Sequence, residues 1–459
     1  MIGDSLPEYV FIRLSILGLR LVAPLSIAYL SYSAYRGHLL FSPWLGLYAA
    51  AESAFYLLAA SYPPLPPREE REALFAKCFA RVSHSEMASG WFFSSVPDRI
   101  KRDNMIEWLL WALFGTHREG LQDEWAEEIQ GYLQKMESLL GRKIEEGWDQ
   151  TVRCMKASLD PVDPVHRPLV WYFIVATSDT ITAMQMRRAG FRHYTSGHCM
   201  SCFPPRAFTV FSNKAPHPDL VYWLRPHRST TKDPILFLHG IGIGLWPYVL
   251  FFADLVNADP DHAHLVVAAR ARGAAMLEAL TELLDAHGFE RVVVAAHSYG
   301  TVVAAHIMRD PALCARVSAW LLIDPIPFLL HLPAVAYNFV YRAPRRANEW
   351  QLWYFASRDP DVARALARHF FWAENVLWKE DLVGKDVAVV LSGKDQIVDA
   401  AEVRRYLTGE EDAEIEFAWR KDGLEVLYHP ELDHSKVFDT KELRRPLVDI
   451  VQGFGRRSD

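Results

Sequence analysis

With 459 residues, 51% of them hydrophobic, and a formal net charge of -7, the chain is long enough for two or three domains and a large core. Mild acidity and the lack of a long Lys/Arg block argue against nucleic acid as a partner. Five cysteines, an odd number spread from Cys78 to Cys314, make no disulfide framework and place the soluble body in a reducing compartment.

Residues 9–35 and 39–62 are the two most apolar stretches, separated by Arg36, Gly37 and His38. The second carries only Glu52 as a charge and matches the roughly 20 residues of a membrane helix. In the first, Arg13 and Arg20 lie on one helical face, and each would cost about 3 kcal/mol at a bilayer centre, so this segment lies shallow or snorkels its arginines. A cleaved signal peptide fits poorly, because Asp4 and Glu8 precede the apolar run. The competing reading is a buried helical hairpin. The prolines at 63–67 read as a stiff exit, so 1–67 is expected to be a membrane anchor of unknown compartment.

From 68 to 200 the pattern is helical, with helices expected over 71–81, 104–114, 124–140 and 169–188. No chemistry is legible there. Cys199 and Cys202 form a C-x-x-C behind His198, but no second pair follows at ligand spacing, so they read as ordinary thiols and no metal or cofactor is called for. After Phe191 short β-rich runs take over: 207–212, 220–225 and 235–238. Strands over 264–268, 292–296, 317–323, 387–391 and 424–428 then alternate with helices over 276–287, from Thr301 to Met308 and over 441–451. Such alternation predicts an α/β fold, a mostly parallel sheet with helices on both faces, in a domain spanning 201–459. An aromatic-rich helical insertion over 325–380 interrupts it and reads as a lid.

The run Arg291 to Met308 is a buried strand, a sharp turn and a helix, with Ser298 at the turn. AHSYG nearly fits the nucleophile elbow G-x-S-x-G, with Ala296 in place of the first glycine. A serine nucleophile needs a base and a group to orient that base. Asp395, in SGKDQIVDA, follows one strand, and His434, in ELDHSKVF, follows the last. Functional loops of open parallel sheets gather at the carboxyl ends of strands, so the three would converge. Asp324, in LLIDPIP, also ends a strand and competes as the acid, while His429 competes with His434.

The order Ser, Asp, His, carried by LHGIGIG, AHSYG, SGKDQIVD and LDHSKVF, resembles the α/β-hydrolase superfamily over residues 205–456. The hydrophobic amino-terminal part and the insertion are similar to membrane-anchored fungal members of uncharacterised activity. The resemblance implies Ser298 as nucleophile, His434 as general base, Asp395 as orienting acid, and an oxyanion hole from the backbone N–H groups of Tyr299 and Ile241, with His239 structural. The expected function is a serine hydrolase cleaving a carboxylic ester of an apolar or lipid-like substrate at a membrane through an acyl-enzyme. Acyl transfer on the same residues and a non-catalytic ligand-binding homologue are the alternatives.

Overall fold

The computed structural model describes residues 2–36, 48, 67–79, 90–197, 205–229, 231–261, 264–269, 273–410 and 417–454. The second apolar stretch apart from Tyr48, most of the proline-rich exit, and His198, Cys199 and Cys202 lie outside the described residues.

Among the described residues the chain begins with α1 (Leu6–Arg36), followed by α2 (Arg68–Phe79), α3 (Arg102–Phe114), α4 (Ala126–Leu140) and α5 (Leu169–Arg188). The strands are β1 (Arg192–Thr195), β2 (Leu220–Arg225), β3 (Ile235–Leu238), β4 (His264–Ala269), β5 (Val292–His297), β6 (Val317–Ile323), β7 (Val387–Ser392), β8 (Ala418–Lys421) and β9 (Leu424–His429). They form one sheet in the order β1-β2-β4-β3-β5-β6-β7-β9-β8. The six strands from β4 to β9 in that order are parallel, and β1, β2 and β8 add antiparallel edges.

Every residue of β3, β5 and β7 is buried, as a sheet covered on both faces requires. Leu236, Val294, Leu322 and Val389 face one core, while Phe237, Ala295, Ile323 and Val390 face the other. The second core is closed by α6 (Val249–Ala258), through Phe251 and Phe252, and by the carboxy-terminal helix from Lys441 to Phe454. The first is closed by α7 (Gly273–Ala286) and α8 (Gly300–Arg309), and it continues into the helical region before the sheet. There Trp108 to Phe114 of α3 are buried, and the Trp91 indole donates to the His331 carbonyl at 3.0 Å. The insertion over 325–380, which includes α9 (Ala347–Leu352) and α10 (Pro360–His369), therefore rests on the amino-terminal helices as well as on the sheet.

One strand expectation is overturned. Residues 207–212 form a 3₁₀ turn, Ala207–Phe211, in which Thr209 N–H donates to the Arg206 carbonyl at 3.0 Å. The edge of β2 that such a strand would need is occupied by β1, with Tyr194 opposite Tyr222. Val210 and Phe211 are left exposed. The short edge strands β1 and β8 escape pattern reading because each has four residues and no apolar alternation.

The helix α1 is long and apolar enough to cross a membrane by length and composition, with a mean hydropathy of 1.8 over Leu6–Ser33 and 17% of its most apolar window buried. Ile12 and Ile16 pack with Ala347 and Tyr354 of the insertion. The guanidinium of Arg13, a cost in hydrocarbon, stacks over the Trp350 ring at 3.9 Å.

Candidate active site

The turn between β5 and α8 holds Ser298 at a φ of +52°, a left-handed conformation that costs energy for any residue with a Cβ. What permits it is the glycine two residues on. A Cβ on Gly300 would stand 2.1 Å from the Leu238 carbonyl oxygen, so no other residue lets α8 pass this close to β3. Ala296, in place of the first glycine of the motif, is fully buried between Leu238 and Leu322, where its methyl is accommodated. The Thr301 hydroxyl donates to the Ser298 carbonyl at 2.5 Å and accepts the Ile326 N–H at 3.1 Å, tying the turn to the loop after β6.

Ser298 Oγ lies 2.9 Å from His434 Nε2, and His434 Nδ1 lies 2.6 Å from Asp395 Oδ2. The residues come from the ends of β5, β9 and β7, whose carboxyl ends all point the same way. The second oxygen of Asp395 accepts the N–H groups of Ile397 and Val398 at 2.7 and 3.1 Å, which fixes the carboxylate plane. Asp433 braces the loop carrying His434: it accepts from the backbone of His434 and Gln396 and from the Asn348 amide of α9.

Asp324 occupies the neighbouring strand end but makes a different set of bonds. Its two oxygens accept the N–H groups of Ser392 and Ser435 at 3.1 and 2.7 Å. It is fully buried, and although burial opposes its charge, His297 and His434 hold its carboxyl below the usual range. Asp324, Asp395 and His434 bring metal-ligand atoms within 4.8 Å of one another, yet these atoms are already spent on hydrogen bonds within the protein. His429 packs edge-on against Phe417, and His306 bonds the Asn375 side chain at 2.9 Å.

Burial works against a charged His434, but the charge and hydrogen bond of Asp395, with Asp324 and Asp433 behind them, outweigh it and push the imidazole up to about 9.

Tyr299 and Ile241 line the same cavity as Ser298. Tyr299 is the N-cap that directly precedes α8. Gly240 brings the second loop close, because a Cβ there would meet the Ser298 Cβ at 2.8 Å. His239 bonds the Gly240 carbonyl through Nδ1 at 2.8 Å. Sequence reasoning missed a further pair. The Tyr248 hydroxyl accepts the Gly240 N–H at 3.2 Å and lies 2.8 Å from His297 Nδ1. Burial pushes His297 down to about 4, which keeps the ring neutral. No motif marks Tyr248, and His297 is a variable position of the elbow; neither carries a signal.

A cavity of about 2160 Å³ opens onto Ser298. Phe339, Phe355, Phe370 and Trp372 of the insertion line it, as do Leu74 and Trp111 from the helical region in which sequence reasoning found no chemistry.

A serine at a strained strand-to-helix turn on a mostly parallel sheet, with a carboxylate and a histidine from later strand ends, is the arrangement of the α/β-hydrolase fold. Residues 235–438 match the family model described as the alpha/beta hydrolase family, in keeping with the α/β-hydrolase fold of the sheet. No curated protein matches the sequence. The solved structures it is similar to include a membrane phospholipase A described as a bacterial virulence factor, at 15% identity over 62% of this chain and 94% of that one, with a TM-score of 0.38. A dienoate hydrolase (BphD) from a Rhodococcus species matches at 15% identity over 52% of this chain and 96% of its own, with a TM-score of 0.36. A serine hydrolase from the hydrocarbon-degrading bacterium Cycloclasticus zankles matches at 15% over 51% and 95%, with a TM-score of 0.33. The likeness to membrane-anchored fungal members is not shown by these matches.

Proposed function

We propose that the chain is a membrane-anchored serine esterase that cleaves a carboxylic ester of an apolar substrate through an acyl-enzyme. The observation that carries this reading is the unbroken hydrogen-bonded line from Asp395 through His434 to a serine held at a positive φ. In the first step Ser298 Oγ bonds to the ester carbonyl carbon while its proton passes to His434 Nε2. The developing oxyanion is met by the N–H groups of Tyr299 and Ile241. The alcohol leaves with the proton from His434. Water, deprotonated by the same nitrogen, then adds to the acyl carbon, and the acid departs as Ser298 regains its proton. Asp395 keeps Nδ1 protonated throughout, so that Nε2 faces the serine.

A fluorophosphonate probe tests the nucleophile directly, and its adduct should map to Ser298. The labelling rate should also depend on pH in a defined direction. His434 accepts a proton only when neutral, and its pKa is pushed up to about 9. Labelling and hydrolysis should therefore rise by about tenfold per pH unit below that value and level off above it. A profile already flat at pH 7 would mean that Asp395 and Asp324 do not raise the imidazole as described.

The anchor is tested by fractionation. The full chain should stay with membranes through an alkaline carbonate wash, and a chain beginning at Arg68 should be released. A full chain soluble without detergent overturns the anchor.

A further inference from the structure

The helix α1 has two unlike faces. Phe11, Ile12, Ser15 and Leu19 recur at helical spacing and line the cavity that holds Ser298 and His434. Leu14, Leu17, Leu21 and Leu25, on the far side, are 62%, 52%, 43% and 61% exposed. The one polar group on the cavity face is already used, since the Ser15 hydroxyl donates to the Phe11 carbonyl at 2.8 Å. That face is therefore hydrocarbon in character.

The opening has the same character. Phe11, Ile174, Trp246 and Leu250 line the cavity and are also 64%, 45%, 46% and 56% exposed, so they mark where it meets the outside. They come from α1, from α5, from the turn before α6 and from α6 itself. Large apolar side chains that line the cavity and yet stand exposed are unfavourable in water. Hydrocarbon removes that cost, and α1, in the same rim, has the length and hydropathy of a membrane helix. The cavity volume of about 2160 Å³ is also well beyond the roughly 300–1,000 Å³ of a small-molecule pocket.

We propose that α1 is a wall of the acyl-binding cavity as well as an anchor, and that the ester reaching Ser298 is a long-chain lipid drawn sideways from the bilayer through this apolar rim. The proposal rests on the serine-esterase reading and adds the substrate class and its route. The alkyl chain lies along Ile12, Ser15 and Leu19, and the ester carbonyl stands at Ser298. No bond is made or broken beyond the acyl transfer already described.

The test uses the full chain with two p-nitrophenyl esters, the butyrate in solution and the palmitate dispersed in phosphatidylcholine vesicles. Leu19→Trp and Ser15→Trp each fill the α1 side of the cavity. Either should lower the palmitate-to-butyrate ratio of kcat/KM by at least about tenfold. The rim variant Ile174→Gln/Leu250→Gln should lower palmitate turnover in vesicles by about fivefold relative to butyrate turnover in solution, because both side chains are at the surface. Equal losses on the two esters would reduce α1 to a structural role and overturn the proposal. So would unchanged palmitate turnover in all three variants. A wild-type chain that cleaves the butyrate and not the palmitate overturns the substrate class while leaving the esterase standing. One that cleaves neither ester and takes no fluorophosphonate label overturns the esterase reading, and this proposal with it.

Discussion

Replacing Ser298 by alanine should lower turnover of a short aryl ester by at least about 10³-fold, the scale on which removal of a nucleophile of this kind is felt. The fold should survive. Serine and alanine share a Cβ, so the strain of the +52° backbone is unchanged, and the substitution removes one hydroxyl whose side-chain partner is His434 Nε2. Hydrolysis by the purified variant, measured beside its thermal melting curve, separates the two effects. A correctly folded Ser298→Ala chain with wild-type turnover would remove the acyl-enzyme from consideration, and any residual activity should lack the alkaline dependence expected from His434.

The second large effect concerns the acid. Asp395→Asn should lower kcat by about 10³- to 10⁴-fold, because an amide facing His434 Nδ1 can donate a proton where the carboxylate only accepts one, and the imidazole is then free to settle in the wrong tautomer. Asp324→Asn should act differently. Its amide nitrogen would be forced against one of the two N–H donors, from Ser392 or Ser435, that the carboxylate now accepts. The expected outcome is a loss of about 1–3 kcal/mol of stability with a much smaller loss of rate. Asp324 also contributes to holding His434 in its charged form, so the rising limb of the pH profile should move to lower pH in this variant. Kinetics and melting curves of the two variants decide the matter. If Asp324→Asn is the crippled enzyme, the roles of the two carboxylates are reversed.

Much of this was legible because it is local. The strands β3, β5, β6, β7 and β9 are runs of branched and apolar residues long enough to be covered on both sides, and their alternation with helices leaves few topologies. AHSYG is readable for a similar reason. A strand that must reverse into a helix at a strained residue demands a small neighbour at Gly300, and the close approach of the Leu238 carbonyl is the physical form of that demand. The run at 207–212 misled because its β-branched and aromatic residues describe a preference, whereas a strand exists only where a ladder is open, and β1 had already taken the edge.

The sequence alone determined the alternating sheet, the strained turn at Ser298, the order in which the acid and histidine follow it, and an amino-terminal helix apolar enough for lipid. All of these depend on the chemistry of residues close together in the chain. Only the tertiary structure decided which carboxylate meets the imidazole. Asp324 and Asp395 both follow strand ends on adjacent strands, and the choice turns on where neighbouring backbone N–H groups fall: two of them occupy the oxygens of Asp324, while one oxygen of Asp395 is left for His434. Tertiary structure alone also built the walls of the cavity. Those walls join α1, the helices before the sheet and the insertion, segments separated by hundreds of residues, and no local pattern records which apolar faces will meet when the chain closes on itself.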